Sequence, residues 1–528
     1  MRASTHRERR PSGPHRPDQR KLEDENERLR RENERLRREL LDSRKQLGEA
    51  EQQIADADKQ IADAEKQIAD LERKLALRKR NSTNSSKPPS SDGLAGDQRP
   101  REGKDAKNRK TRRKPGGQPG HAGHHRRLIP VEQVSAVQVL LPARCRCCGK
   151  ALPQKPGKVN TAGEPRRHQV TELPPVKAHV TEYQMPDVVC GGCGNTTHAP
   201  LPAEFAGHFG PQLTALIAYW TVVCRLPRRL VEAMLADMLG IEMSLGSTQK
   251  AWEEVSRAVD EPVAELQRQL PGETVLNVDE TGWRTSGDKR WIWALVASRF
   301  VFYVVASTRG AEVLVSLLGA VFRGILCCDR WVVYQKYHSG RMQFCWAHLK
   351  RNILGIAADA RSPAAQQFCR DALAILARLF RLWHRYRGDL RDRRGNPQPL
   401  DRRQLVQKSI PLQKKLFALA EAHLDDADRE VRNLSSALFL NFERLFTFVE
   451  HEGVEPTNNA AERTLRTAVQ WRKISFGNRS GNGETATARL LTVTQTCKIQ
   501  RRHVLTYLTE AVRCYRGRLP APSLLERP

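Results

Sequence analysis

The chain has 528 residues, too many for one core, so several modules are expected, most of them large enough to bury apolar cores of their own. Its 89 Lys and Arg against 60 Asp and Glu leave a formal net charge of +29, which excludes a charge-balanced surface and points to a polyanionic partner, nucleic acid first. No N-terminal stretch combines a basic start with an apolar segment and a small-residue cleavage site, and no run of about 18 apolar residues could span a bilayer, so a cytoplasmic protein with no membrane partner is expected. Its 12 cysteines agree, since four are paired as CxxC and the rest scatter through apolar runs.

Residues 1–21 read as a basic disordered tail. From 22 to 80 a seven-residue repeat follows, with Leu22, Leu29, Leu36, Ala50, Ala57, Ala64 and Leu71 on one seam and Leu40, Leu47, Ile54, Ile61, Ile68 and Leu75 on the other. Unbroken, this is a coiled coil about 80 Å long, and Asn26 and Asn33 on the second seam favour one register and a parallel homodimer. A lone charged helix or an intramolecular hairpin are the alternatives, because alanine thins the second half.

Residues 81–130 hold too few apolar side chains for a core and read as a disordered basic linker, able to follow phosphates without reading bases, or a plain solvated tether. Within 131–203, Cys145-Arg-Cys-Cys148 and Cys190-Gly-Gly-Cys193 are two CxxC pairs. Each can put two thiolates on a tight turn, so Cys145, Cys148, Cys190 and Cys193 are expected to close around one structural Zn²⁺, with a redox role as the alternative. Cys147 is a rival whose spacing to Cys148 is poor for chelation.

Residues 204–262 read as helical, with a glycine-containing break over 239–247 leading into a second helix. That is the pattern of a DNA-reading helix-turn-helix and equally of ordinary helical packing. From Thr274 the period becomes strand-like: 275–279, 291–297, 300–306 and 324–328, with a crossover helix near 312–318 before the fourth strand and a short run at 342–346. Residues 359–450 are expected to be a helical insertion, with Cys369, Leu373, Leu376, Phe380 and Trp383 as its core stripe, inside a catalytic domain spanning 263–480; a helical segment, 481–528, closes the chain.

Asp279 and Asp329 each follow an apolar strand, so their carboxylates emerge at strand ends, and Glu462 sits in helical sequence after Pro456. Asp279, Asp329 and Glu462 together make a hard-oxygen site suited to Mg²⁺ or Mn²⁺. Phosphodiester chemistry needs such a set to hold two ions about 3.5–4 Å apart, one activating the attacking oxygen and one taking up charge on the leaving oxygen. Taken singly each is weak evidence, since a strand-end Asp is more often a turn residue. Glu280 rivals Asp279, but strand alternation aims it at the opposite face, and Glu455 rivals Glu462 from a loop. Arg463, Arg466, Arg472 and Lys473 are candidate DNA contacts, with a salt-bridged helix face as the alternative. Trp283, Trp331 and Trp346 are expected to pack the sheet, and His348 to be structural or phosphate-facing, because no partner stands at chelating spacing.

The chain resembles the transposases of the insertion sequence 66 family, a DDE-type group. Asn81-Ser-Thr-Asn-Ser-Ser-Lys-Pro-Pro-Ser-Ser-Asp92, Gly116-Gly-Gln-Pro-Gly-His121, the paired CxxC, Val278-Asp-Glu-Thr-Gly-Trp283, Cys345-Trp-Ala-His348 and Pro456-Thr-Asn-Asn-Ala-Ala-Glu-Arg463 carry the resemblance. It implies an RNase H-like core, binding to transposon ends, and metal-dependent 3′-end cleavage and strand transfer by Asp279, Asp329 and Glu462, without a nucleotide cofactor. Arg330-Trp331 stands where the family often has Gly-Tyr, and the segment around Cys497-Lys-Ile-Gln-Arg501 is unusually basic; neither removes a carboxylate. The whole is read as a multidomain α+β protein of the bacterial cytoplasm, associated with the nucleoid. Coiled coil, zinc-ribbon-like module, helix-turn-helix-like module and catalytic core follow one another along it.

Overall fold

The computed structural model describes residues 19–79, 127–159, 163–174, 176–205, 207–360, 362–390 and 399–525. Most of the expected basic tail and residues 81–126 of the expected linker lie outside the described residues, as do the seam side chains of Leu22, Ala50, Ile68, Leu71 and Leu75. Two compact units, Met1–Ser91 and Asp92–Pro528, divide the chain. Among the described residues no helix is long and apolar enough to cross a membrane.

The first unit carries one unbroken helix, α1 (Gln19–Lys79), so the hairpin alternative is excluded. Leu29, Leu36, Leu40, Leu47, Ile54 and Ile61 are all at least half exposed along it. Its surface is laced by Arg31–Glu27 and Arg35–Glu39 pairs one turn apart, worth a few tenths of a kcal/mol each. Asn33 donates to the Leu29 carbonyl of its own helix.

In the second unit the cysteine region has little regular structure beyond a short hairpin, β1 (Val188–Val189) with β2 (Thr196–Thr197), wrapped around the second CxxC. Four helices follow: α2 (Pro211–Val222), α3 (Arg228–Leu239), α4 (Leu245–Ala258) and α5 (Asp260–Gln269). Gly240, at φ 65°, ends α3 in the left-handed conformation that glycine adopts without cost, and Ser244 caps α4 by accepting from Ser247 N. Helix, turn and helix are thus present as expected, sharing a small core of Ile217, Val231, Leu235, Met243 and Ala251.

The sheet has five strands: β3 (Val275–Thr285), β4 (Asp288–Val296), β5 (Val301–Ala306), β6 (Ile325–Cys328) and β7 (Met342–Phe344), in the order β5-β4-β3-β6-β7. The first three form an antiparallel meander, and α6 (Glu312–Leu318) carries the chain across to β6, which runs parallel to β3. Strand β3 runs past its expected end at Asp279, because pairing with β4 continues to a two-residue turn, Ser286 and Gly287, both at positive φ. Asn277 pairs Cys327, so continuing that parallel register sets Asp279 level with Asp329, just where the two strands part.

After α7 (Val332–Tyr337) and β7, helices α8 (Trp346–Asp359), α9 (Pro363–Tyr386), α10 (Arg402–Ala422), α11 (Arg429–Leu440) and α12 (Thr447–Glu450) form a helical stretch. It begins at Trp346, earlier than expected. Cys369, Leu376 and Trp383 are buried in α9 as the stripe required. Helix α13 (Asn459–Ser475) returns to the sheet, and Ala461, Leu465, Ala468 and Trp471, at helical spacing, are its buried face against β3 and β4. Burying the leucine alone stabilises by about 2 kcal/mol.

Helices α14 (Gly481–Gln500) and α15 (Val504–Arg516) complete the core. The run Thr492-Val-Thr-Gln-Thr-Cys497 is poor helix sequence, and the reason is β5, an edge strand. Thr492 Oγ1 accepts from Tyr303 N at 2.9 Å, and Thr496 Oγ1 accepts from Val301 N and donates to Val301 O, both at 3.1 Å. Buried hydroxyls on a helix thus take the place of a neighbouring strand. Arg516 at the end of α15 bonds Glu254 Oε1 at 2.8 Å and the carbonyls of Glu204 and Phe209 at 3.0 and 2.8 Å, stapling α15 to α2 and α4.

Candidate active site

Asp329 and Glu462 both act electrostatically on Asp279, although α8 to α12 separate Glu462 from the other two, and the three carboxylates do not bring one oxygen each within 4.8 Å of one another. Asp279 comes from the middle of β3, Asp329 from the residue after β6, and Glu462 from the first turn of α13 beside the buried Ala461. Each ties one oxygen to the protein: Asp279 Oδ1 to Glu280 N at 3.0 Å, Asp329 Oδ1 to Trp331 N at 2.9 Å, and Glu462 Oε1 to Arg351 at 3.2 Å. Among the described residues the other oxygen of each makes no hydrogen bond or ion pair. Burial pushes the Asp279 carboxyl well above the usual carboxylate range, and the charges of Glu280, Asp329 and Glu462 push it further. Burial also raises Asp329, against the Trp331 amide and the charges of Arg309, Arg330 and Arg351. Three partly accessible carboxylates with a spare oxygen each, two of them repelling Asp279, fit a hard divalent cation, which would offset that repulsion.

The position of α13 is set by Asn458, which is almost fully buried. Its Nδ2 donates to Val278 O at 2.8 Å, next to Asp279, and its amide donates to Cys345 Sγ at 3.1 Å. Cys345, at the β7–α8 junction, has Sγ 3.9 Å from Glu462 Oε1, and His348 Nδ1 lies 3.4 Å from the same oxygen without hydrogen-bond geometry. Burial, then Arg351 and Arg330, pushes His348 down to about 4, so it is neutral at physiological pH and makes no ion pair. Cys345, His348 and Glu462 are, among the described residues, the one group offering three metal-competent atoms within 4.8 Å of one another. Sequence spacing left His348 without such a partner, because Glu462 lies on another helix more than a hundred residues on; the Cys345-x-x-His348 pair at a helix start was the only local signal.

Glu280 is turned to the other face of β3, as alternation required, and its side chain is deeply buried. It accepts from Arg309 Nε at 2.7 Å and from Tyr334 Oη, and Arg309 is stacked between Trp331 at 3.8 Å and Trp291 at 4.9 Å. Trp331 therefore packs on a guanidinium as well as against the core, and Trp283 and Trp346 are buried in that core as expected. Glu455 is in a loop, paired with Arg387 at 2.9 Å.

The cations near Glu462 divide. Arg463, Arg466 and Lys473 are exposed, while Arg472 donates to the Gly282 carbonyl of β3. In the cysteine region the two knuckles have the same local build. Cys145 N bonds Lys150 O and Gly149 N bonds Cys145 O, and Cys190 N bonds Asn195 O and Gly194 N bonds Cys190 O; Gly149 and Gly194 sit at φ 71° and 72°. Backbone amides of Cys148 and Cys147 lower the Cys145 thiol, and those of Gly192 and Cys193 lower Cys190, which favours the thiolate a metal takes. Each knuckle fits a metal ligand pair, although no three of the four expected sulfurs stand within 4.8 Å of one another.

The family model described as "Transposase IS66 family" matches residues 206–486, more than half of the chain, and a family of unknown function, DUF6444, matches residues 14–127. An uncharacterized protein, y4qI, of Sinorhizobium fredii (strain NBRC 101917 / NGR234) is 27% identical over 436 residues, covering 76% of this chain and 75% of the relative.

Proposed function

The chain belongs to the IS66 transposase family, and from that premise we propose that Asp279, Asp329 and Glu462 are the catalytic carboxylates of a DDE transposase that cleaves transposon ends and joins them to target DNA. The observation that carries the reading is the spare oxygen on each of three carboxylates at β3, the end of β6 and the start of α13, two of which repel Asp279. The strand order, with three antiparallel strands, a helical crossover and parallel strands beyond, supports an RNase H-like core with α8 to α12 as its insertion.

Bound Mg²⁺ or Mn²⁺, as a pair, would lower the pKa of the attacking water or 3′-hydroxyl and stabilise the leaving oxygen. The protein's own part is to hold the three carboxylates in place. Asn458 locks the start of α13 to β3 beside Asp279, and Arg351 with Cys345 fixes Glu462 Oε1 so that Oε2 stays open. Arg309 pairs with Glu280 and offsets part of the negative charge that Glu280 adds beside Asp279. Exposed Arg463, Arg466 and Lys473 would contact phosphates of the strand delivered to Glu462. Arg472, committed to Gly282, would brace α13.

Helices α3 and α4 would read DNA, Cys145, Cys148, Cys190 and Cys193 would hold a structural Zn²⁺, and α1 would pair with a second copy so that two transposon ends are held together. The exposed leucines and isoleucines of α1 support the last of these. The test incubates protein, Mg²⁺ and labelled transposon-end DNA with a target plasmid, comparing wild type with Asp279→Ala. Joined product from wild type alone supports transposition; nicks without joining indicate a nuclease, and no metal-dependent product indicates a DNA-binding regulator.

A further inference from the structure

Outside the carboxylate cluster, two buried hydrogen-bond donors without partners belong to residues that line one cavity. A cavity of about 70 Å³ lies where α3 and α4 approach the turn between α13 and α14, walled by Leu226, Trp252, Trp283 and Trp471. Trp252 is 2% exposed, and its Nε1–H has no partner. Arg228 Nε is buried without a partner, and the guanidinium stacks 4.6 Å above the Trp252 ring. Helix α3, of 12 residues, opens on the same cavity with Pro227 as N-cap and no capping side chain. No carboxylate lines the cavity, although Glu253 on α4 acts on Arg228 electrostatically.

Unpaired buried donors are rare because each forfeits its solvation, and two on the lining of one space call for an acceptor there. A water supplies two lone pairs and no charge. A tetrahedral oxyanion supplies many acceptors together with the negative charge that an arginine and a helix N-terminus favour. The volume is several times what one water needs, and the rim residues Pro227 and Ser475 are exposed, so the ligand can enter from outside.

We propose that this cavity binds one backbone phosphate of DNA, held by Arg228 at the start of α3 and by Trp252 Nε1. The choice of DNA as the source rests on the transposase reading; the oxyanion chemistry does not. The site would fix the duplex at the junction of the helices α2 to α4 with the sheet domain, independently of base sequence.

Binding of a fluorescent duplex of arbitrary sequence to the full-length protein is measured against salt for wild type, Arg228→Gln and Trp252→Phe, with thermal unfolding as the fold check. Trp252→Phe removes one N–H and no charge. Each variant is expected to bind roughly threefold to tenfold more weakly, and Arg228→Gln to lower the slope of log K against log salt by about one. Wild-type binding with both variants unchanged in affinity and slope overturns the phosphate site while leaving the transposase reading standing. Should wild type bind no duplex, that reading fails, and inorganic phosphate decides the cavity. A rise in melting temperature for wild type that Trp252→Phe abolishes supports an oxyanion site filled by free phosphate, and no difference overturns it.

Discussion

Replacing Asp279 by Asn should make the metal-free protein more stable while destroying its activity. Asp279 is pushed upward by burial and by Glu280, Asp329 and Glu462, so its charged form is a cost to the fold. Like charges about 6 Å apart at an effective dielectric near 20 repel by roughly 3 kcal/mol. Uptake of a proton limits the cost, so a gain of about 1–3 kcal/mol at neutral pH is expected for Asp279→Asn. The folded carboxyl binds its proton more tightly than the unfolded one, so wild-type stability falls as pH rises from the unfolded value through the folded one, by up to about 1.4 kcal/mol per pH unit. Asn is blind to that window. Thermal unfolding of both proteins at about pH 5 and about pH 7.5, without and with Mg²⁺, should show the variant ahead by several degrees at the higher pH and nearer to wild type at the lower. Mg²⁺ should raise the wild-type melting temperature and leave the variant unmoved. A variant less stable than wild type at about pH 7.5, or one stabilised equally by Mg²⁺, would refute the picture of a repulsive cluster awaiting a cation.

Asn458→Ala strips the Val278 carbonyl of its buried donor and should cost about 1–3 kcal/mol in denaturant unfolding, with joined product falling while duplex affinity holds. Arg309→Met leaves Glu280 buried beside Tyr334 alone; a loss of roughly 3 kcal/mol at most is expected, since Arg309 is partly solvated, and adding Glu280→Gln should restore most of it. Metal analysis of purified protein should find Zn²⁺, which Cys190→Ser lowers, and chelation should speed proteolysis between residues 127 and 205. Deleting residues 1–79 should turn a dimer into a monomer in sedimentation and abolish paired-end complexes.

The strands were legible because β3 to β6 are apolar runs between turn residues, and α6 falls where the crossover required it. The elements that carry Asp279, Asp329 and Glu462 were legible as apolar strand, apolar strand and helix after proline, whereas grouping the three rested on their order and on the family resemblance. What escaped depends on chain closure over long separations. Thr281-Gly-Trp283 reads as a break in strand pattern, yet pairing with β4 carries β3 through it. Arg472 looks like any other cation of a basic helix until Gly282 is placed against it, and His348 has no local sign of Glu462. Threonines in α14 look like weak helix sequence because their partners are backbone atoms of β5.

That dependence of β5 on α14 also governs how the protein can be made. On the ribosome, β5 emerges long before the threonines that cover its edge, and α2 and α4 emerge before Arg516. Until synthesis is nearly finished the nascent chain carries an open strand edge and an unclosed helical layer, both invitations to aggregate. A gene copy cut short by a nonsense mutation would therefore yield a chain destined for chaperones and proteases rather than a folded fragment competing for DNA.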